Sequence, residues 1–174
     1  DSFFSYLSCL FESYFSNYIE GTKFAIEDAK RIVDSGLPMQ LRINDSHDIL
    51  GTYQLASSKK NISIMPEIAG HFVELLMKRH SILLSGRPEM KPGIFKEMNN
   101  KAGNTHFVDC TLVRGTLIKG YEYYSMLKEP FARAIFMMFL ISEVHPFNDG
   151  NGRTARLFMN SELVTANQSK IIIP

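Results

Sequence analysis

The sequence predicts an all-α domain that carries one small β-hairpin. Apolar residues recur at helical spacings of three and four along most of the 174-residue chain, and glycine or proline interrupts the pattern between segments. Residues 93–110 depart from this periodicity. With 45% hydrophobic and 21% charged residues, the composition is typical of a globular protein. The sequence contains no internal repeat, low-complexity tract or linker, so we expect one domain over residues 1–174.

Four helices are predicted before the hairpin, from the apolar spacing and from capping and turn residues. They cover residues 2–20, 22–35 and 46–57, and a stretch from Pro66 to just before Gly86. Apolar side chains mark one face of the first helix: Phe4, Leu7, Phe11, Phe15 and Ile19. Gly21 follows that helix in the position of a C-cap. Pro66 is expected to open the fourth helix, because proline fits the first helical turn.

The hairpin is predicted within residues 93–110. Its strands are expected at Ile94–Met98 and Thr105–Val108, joined by a turn through residues 102–104. Three further helices are predicted over residues 111–127, over residues 130–144 and from Arg153 onward. The second of these is apolar nearly all round, so we expect it at the centre of the domain. Pro146 disfavours helical geometry at His145, which should end that helix.

The composition excludes several classes of function. A formal net charge of +1 provides no basic field that would attract nucleic acid. The sequence has no run of roughly 18 apolar residues, so we expect no membrane partner. Cys9 and Cys110 could form one disulfide, but two isolated thiols suit a reducing cytoplasm better. The chain lacks an initiator methionine and ends just after Ile171-Ile172-Ile173, so we expect a fragment of a longer protein.

Residues 145–156, His-Pro-Phe-Asn-Asp-Gly-Asn-Gly-Arg-Thr-Ala-Arg, carry the candidate chemistry. A histidine at a helix end can act as a general base near neutral pH. The two glycines allow backbone N–H groups to approach a ligand closely, and the N-terminus of the following helix favours an anion. Arg153 and Arg156 can reach further phosphate oxygens, and Asp149 is a hard oxygen ligand suited to Mg²⁺. We expect Phe147 to be a core residue that fixes the loop.

The pattern His-x-Phe-x-Asp-Gly-Asn-Gly-Arg-x-x-Arg is the signature of the Fic family, and residues 145–156 match it at every defined position. Residues 51–174 resemble a Fic domain throughout, although we expect the last helices that usually follow to be missing from this chain. Fic domains are all-helical with one small hairpin, in agreement with the elements predicted above. The sequence has neither a P-loop motif nor a His/Cys spacing suited to zinc.

The resemblance implies transfer of AMP from ATP to a Tyr, Thr or Ser hydroxyl of an unidentified target protein. His145 would remove the hydroxyl proton, and Asp149 would hold Mg²⁺ between the α- and β-phosphates. Further residues implied to bind the phosphates are Asn151, the backbone N–H groups of Gly150 and Gly152, Arg153, and Arg156 at the γ-phosphate. The hairpin resembles the family's flap, which would hold a target segment in extended form through Thr105, His106, Phe107 and Val108.

A second Fic pattern, Ser/Thr-x-x-x-Glu-Gly/Asn, matches residues 16–21. The resemblance implies an inhibitory helix, here residues 1–21, in which Ser16 starts the motif and Glu20 pairs with Arg156. A carboxylate near a helix C-terminus is disfavoured by the helix dipole, so Glu20 gains by pairing with a guanidinium. The pair would remove a γ-phosphate ligand and place negative charge where that phosphate belongs.

Several alternatives remain open at the level of sequence. The same scaffold could transfer another nucleotidyl or phosphoryl group, or could remove AMP from modified targets. A module that binds nucleotide without catalysis is an alternative of a different class. The sequence identifies neither the target protein nor the oligomeric state, so a homo-oligomer remains open.

Overall fold

The computed structural model of the protein describes residues 2–174, with side chains from Ser5 onward. Within these residues the chain forms eight α-helices, two 3-10 helices and one two-stranded antiparallel sheet. The α-helices are α1 (Ser2–Ile19), α2 (Ile26–Ser35), α3 (Ile43–Ser57), α4 (Lys59–Ile62), α5 (Ala69–Leu83), α6 (Val113–Met126), α7 (Pro130–Val144) and α8 (Asn151–Thr165). The 3-10 helices cover Gln40–Arg42 and Pro88–Met90, and the strands are β1 (Lys101–Ala102) and β2 (Thr105–His106). The predicted fold class is confirmed. The predicted place of Phe4 on the first helix lies outside the described side chains.

Three of the four helices predicted before the hairpin begin at other residues, with α3 starting at Ile43 instead of residue 46. The second helix begins at Ile26 because Ala25 is extended, with φ −64° and ψ 146°. The fourth predicted helix begins at Ala69 because Ile68 is extended, with φ −138° and ψ 159°. Pro66 is therefore not its first residue; its carbonyl accepts a hydrogen bond from the buried Tyr121 hydroxyl at 2.7 Å. Tertiary contacts override the local preference here.

The hairpin is shorter than predicted. Its strands pair Lys101 with His106 and Ala102 with Thr105, and residues 94–98 form no strand. The backbone N–H of Lys96 instead donates to the Pro146 carbonyl at 2.8 Å. The predicted first strand is therefore wrong, because this stretch bonds to the loop after α7.

The main core lies between α5, α6, α7 and α8. It contains the fully buried side chains Phe72, Leu76, Leu117, Tyr124, Met137, Ile141, Phe147 and Phe158. The helix α7 packs lengthwise against α8 and contributes five buried residues. Its opposite face carries Phe131, Ile135 and Phe139, which are 51%, 37% and 56% exposed. The expectation that α7 lies at the centre of the domain thus holds only for the face that packs on α6 and α8, and the opposite face is exposed.

The N-terminal helix α1 packs along α3 and reaches α8. The Ser13 hydroxyl donates to the Ile49 carbonyl at 2.8 Å, and the Cys9 thiol donates to the Ala56 carbonyl at 3.3 Å. These buried bonds fix α1 on α3, and α1 also contacts α8. Cys9 and Cys110 are both free thiols. No helix among residues 2–174 has the length and apolar character to cross a membrane.

Candidate active site

The predicted catalytic segment forms the connection between α7 and α8. Helix α7 ends at Val144, as expected from Pro146, and His145 adopts a left-handed conformation with φ 48°. The His145 N–H donates to the Ile141 carbonyl at 3.0 Å, which closes the last helical turn. Helix α8 begins at Asn151, immediately after Gly150 with φ 73°. A left-handed residue at each end thus turns the chain sharply between two packed helices.

Phe147 fixes the loop onto the core, as the sequence predicts. Its ring is fully buried and stacks on the His80 imidazole, with the ring centres 3.6 Å apart and the planes 3° from parallel. The Gly93 N–H donates to His80 Nδ1 at 2.9 Å, so the proton of the neutral ring lies on Nε2. His80 Nε2 therefore donates to the Asp149 carbonyl, also at 2.9 Å. Burial lowers the pKa of His80 to about 4, which keeps the ring neutral.

A second support comes from the segment before the hairpin. The Lys96 ammonium is buried and donates to the Asn100 side-chain oxygen at 2.6 Å and to the Val144 carbonyl at 3.3 Å. The Asn100 amide in turn donates to the Phe147 carbonyl at 3.1 Å. Sequence reasoning missed His80, Lys96 and Asn100, because each contacts the loop from a distant part of the chain. A lone histidine on an apolar helix face was the only local signal.

His145 presents one ring nitrogen that can accept a proton. Its Nδ1 lies 3.1 Å from the Ser142 carbonyl, so Nδ1 carries the proton and Nε2 keeps its lone pair. Burial is the main cause that lowers the pKa of His145, and the Lys96 ammonium lowers it further; the Ser142 carbonyl, Glu20 and Asp149 oppose the shift. Neutral imidazole, the form that acts as a base, is therefore favoured near neutral pH.

The flap lies directly over this histidine. Phe107 stacks on the His145 ring, with the centres 3.7 Å apart and the planes 7° from parallel. Thr105 and His106 on β2 are exposed, while Phe107 and Val108 are half-buried. The structure thus brings Phe107 of the predicted flap against the candidate base.

Asn151 closes the loop through its side chain. Its Oδ1 accepts from the Phe147 N–H at 2.8 Å, and its Nδ2 donates to the Phe147 carbonyl at 2.9 Å. The side chain is buried, and both its donor and its acceptor are engaged within the loop. These two bonds hold the Asn151 side chain against Phe147 within the loop.

The two arginines of the motif occupy different environments. The Arg153 side chain is 2% exposed and pairs with Asp48 and Asp149, each at 3.0 Å. Its Nη1 also donates to the Asn17 side-chain oxygen at 3.2 Å. The Arg156 side chain is 13% exposed and points to the end of α1. Their spacing suggested that both reach phosphate from one helical turn, but only Arg156 lies near the surface.

Glu20 makes the contact with Arg156 that the sequence predicts. Glu20 Oε1 lies 2.6 Å from Arg156 Nη2. The Ser16 hydroxyl accepts from Arg156 Nε at 2.9 Å, and the Ser16 carbonyl accepts from Nη2 at 2.8 Å. A methyl group on Gly152 would lie 2.1 Å from Glu20 Oε1. The carboxylate therefore rests against the backbone of the first turn of α8.

Asp149 is the acidic residue of the loop. Its side chain is 36% exposed and contacts Arg153 on one side. No group of three His, Cys, Asp or Glu side chains within the described part of the chain could hold a metal ion. One accessible carboxylate fits Mg²⁺ that arrives with phosphate oxygens and water as its other ligands, which is how Mg²⁺ is commonly bound with nucleotides.

The sequence model of the Fic/DOC family matches residues 72–163, just over half of the chain, and includes the entire loop. The chain belongs to the Fic/DOC family. The Fic motif of this domain, residues 145–156, is therefore the segment that connects α7 to α8.

Curated relatives carry the name Protein adenylyltransferase Fic. The chain is 26% identical over 166 residues to the one from Drosophila willistoni and 27% identical over 168 residues to the one from Culex quinquefasciatus. Each alignment covers 92% of this chain but 33% of the relative. The chain thus spans about a third of the length of these relatives, and the aligned part of the chain is longer than the family match.

Solved structures share the fold. Fic-1 from C. elegans superposes with a TM-score of 0.72 at 21% identity, covering 95% of this chain and 50% of that one. A Fic domain containing signaling protein from Bacteroides thetaiotaomicron gives a TM-score of 0.80 at 19% identity, covering 95% of this chain and 65% of that one. The arrangement of helices around the loop is therefore that of a Fic fold, including α1.

Proposed function

We propose that the chain is a protein adenylyltransferase domain that transfers AMP from ATP to a hydroxyl side chain of a target protein. The observation that carries the proposal is the free Nε2 of His145 at the end of α7, next to the glycine-rich start of α8. The names of the curated relatives support the same reaction. Tyr, Thr and Ser are the side chains that offer such a hydroxyl.

In the proposed reaction, His145 Nε2 takes the proton of the target hydroxyl as its oxygen attacks the α-phosphorus. The new bond joins this oxygen to AMP, and the bond to the β-phosphate breaks, so pyrophosphate leaves. Backbone N–H groups of Gly150 and Gly152, together with the α8 N-terminus, face the developing charge on the phosphate oxygens. The loop contributes mainly position and electrostatics, and its support by His80 and Lys96 holds it ready.

Asp149 is the residue that would hold Mg²⁺ together with phosphate oxygens of the nucleotide. The ion would neutralise phosphate charge. We assign the γ-phosphate to Arg156, whose guanidinium is partly exposed, and not to the buried Arg153, which pairs with Asp48 and Asp149.

The flap would dock the target. Thr105 and His106 have exposed side chains on a two-residue strand that is paired on one side, to β1. An extended target segment can add to such an edge through backbone hydrogen bonds. Phe107 stands between this edge and His145, so we expect its ring to move when a hydroxyl reaches Nε2.

We further propose that Glu20 inhibits the domain. Its carboxylate pairs with Arg156 and lies against Gly152. The γ-phosphate would need both of these groups. A negative charge at this position repels the phosphate and withholds its ligand. ATP could then bind productively only after Glu20 moves.

The reaction is tested with ATP labelled separately on the α- and the γ-phosphate. The Glu20→Gly variant, incubated with Mg²⁺ and total cell protein, should place α-label on protein and no γ-label. The matched Glu20→Gly/His145→Ala variant should bind ATP with similar affinity by calorimetry but transfer no label, because the base is not a phosphate ligand. Transfer of γ-label would indicate phosphoryl transfer instead. Nucleotide binding without any transfer would indicate a non-catalytic module.

A further inference from the structure

A buried ion pair connects α3 to the catalytic loop. Asp48 on α3 is 3% exposed, and its Oδ1 lies 3.0 Å from Arg153 Nη1. Its other oxygen accepts from Arg87 Nη1, also at 3.0 Å. Asp48 lies outside both sequence motifs, and the family match begins after it, at residue 72.

The guanidinium of Arg153 is shared between two carboxylates. Asp48 contacts it from the interior, and Asp149 contacts it from the loop at 3.0 Å. A buried cation needs a full counter-charge, since water cannot solvate it. If Asp149 alone supplied that charge, its carboxylate would be less available to a second cation. Asp48 therefore affects what Asp149 can bind without touching Asp149.

Asn17 on α1 completes the environment of Arg153. Its Oδ1 accepts from Arg153 Nη1 at 3.2 Å. Its Nδ2 donates to the Ser13 and Asp48 carbonyls and to the Thr52 hydroxyl, at 2.9, 3.2 and 3.0 Å. Every polar atom of this buried amide is satisfied, so Asn17 is held rigidly against α3 and presents a fixed acceptor to Arg153.

We propose that Asp48, assisted by Asn17, is a positioning residue that shares the charge of Arg153, so that Asp149, which gives one oxygen to Arg153, keeps its other oxygen for Mg²⁺ bound with the nucleotide. The proposal rests on the proposed function only in taking Asp149 as the metal ligand. It also gives α1 two roles. Asn17 supports the loop, whereas Ser16 and Glu20, one residue before it and three residues after it, bind Arg156.

The test compares Asp48→Asn with Asp45→Asn, both in the Glu20→Gly background. Both substitutions remove one carboxylate from α3 and keep its shape. Asp45 pairs with Arg42, at 2.6 Å, away from the loop. Mg²⁺ is titrated calorimetrically into each variant saturated with ADP, and half-saturating Mg²⁺ is measured for AMP transfer. Thermal unfolding of each variant reports its stability separately.

We expect Asp48→Asn to weaken Mg²⁺ binding about tenfold, the equivalent of about 1.4 kcal/mol, while Asp45→Asn stays at the parent value. Half-saturating Mg²⁺ for transfer should rise by the same factor. Equal Mg²⁺ affinity in the two variants, or no Mg²⁺ binding in either, overturns the inference. If the Glu20→Gly parent transfers no AMP, the proposed function fails, and the titration still decides the role of Asp48.

A second variant covers the case in which Asp48→Asn does not fold. Asn17→Ser removes the acceptor to Arg153 and keeps a small polar group beside Thr52. It should weaken Mg²⁺ binding in the same direction, by about threefold, because the charge of Asp48 is retained. An unchanged Mg²⁺ affinity in a folded Asn17→Ser protein would remove Asn17 from the proposal. If, in addition, Asp48→Asn did not fold, both residues would have structural roles only.

Discussion

The Glu20 carboxylate lies 2.6 Å from the Arg156 guanidinium, joining two residues that are 136 positions apart in the chain. The contact sits at the edge of the fold, where the Glu20 side chain is 34% exposed. An ion pair at such a site contributes less than about 1 kcal/mol by itself. The two bonds from Arg156 to Ser16 add to it and hold the guanidinium on α1. The pair can therefore open at Glu20 while α1 stays packed.

Glu20→Gly is expected to raise AMP transfer by about tenfold to a hundredfold. A hundredfold suppression corresponds to about 2.7 kcal/mol, more than the ion pair alone supplies, so repulsion between the Glu20 carboxylate and the γ-phosphate has to provide the remainder. Initial rates with α-labelled ATP, measured for wild type and variant at equal concentration, check this. Equal rates would leave Ser16 to Gly21 as an ordinary helix end.

Arg156→Ala should behave differently from Glu20→Gly. It releases Glu20, but it also removes the proposed γ-phosphate ligand, so transfer should stay well below that of Glu20→Gly. The double variant should match Arg156→Ala, because Glu20 has nothing left to occupy. A double variant as active as Glu20→Gly would show that Arg156 serves inhibition alone.

Gly152→Ala should displace Glu20 without activating the domain. The added methyl group would lie 2.1 Å from Glu20 Oε1 and 3.1 Å from Arg156 Nη1, and the end of the Glu20 side chain can move aside. The same methyl would obstruct the phosphate, so transfer should remain low even when Glu20→Gly is added. Gly115→Ala is the matched control, because that helical glycine has open space around it. Activation by Gly152→Ala alone would contradict the phosphate role of Gly152.

The pH dependence of transfer should reflect His145. Because burial lowers the pKa of this histidine, the neutral base is favoured at neutral pH, and the acid limb of Glu20→Gly should lie at a lower pH than an ordinary histidine would give. Lys96→Gln removes a charge that helps to lower the pKa, so the acid limb of the profile should move to higher pH. Lys91→Gln, which removes an exposed lysine paired with Glu97, should leave it in place. An acid limb that stays at the same pH in Lys96→Gln would argue against His145 as the base.

The free energy of unfolding should decrease as the pH is lowered, because of His80. In the unfolded chain this histidine takes up a proton near pH 6.5, whereas burial holds its pKa at about 4 in the native state. The neutral native form is therefore fully favoured above pH 6.5, and up to about 3 kcal/mol is lost as the pH falls toward 4. Urea unfolding between pH 7.5 and 4.5 should show this loss in wild type and a smaller one in His80→Gln. The exposed His71 on the same helix provides the control substitution, His71→Gln.

The local sequence could predict much of this protein. Pro130 and Pro146 predict both ends of α7 correctly, because proline fits a first helical turn and disfavours helix at the residue before it. The order of residues in the loop predicts its turns, and the Fic resemblance predicts the partner of Glu20. These features depend on neighbouring residues in the chain or on a sequence motif that is associated with a known geometry.

The tertiary structure decided the rest. The hairpin shortened because Lys96 bonds to Pro146, and one face of α7 remains exposed because its neighbours lie on the other side. Asp48 and His80 reach the loop from α3 and α5; no local pattern marks Asp48, and the only one for His80 is its place on an apolar helix face. Side chains that meet across a core are brought together by packing and by the need to satisfy buried charge. The spacing of residues along the chain predicts neither.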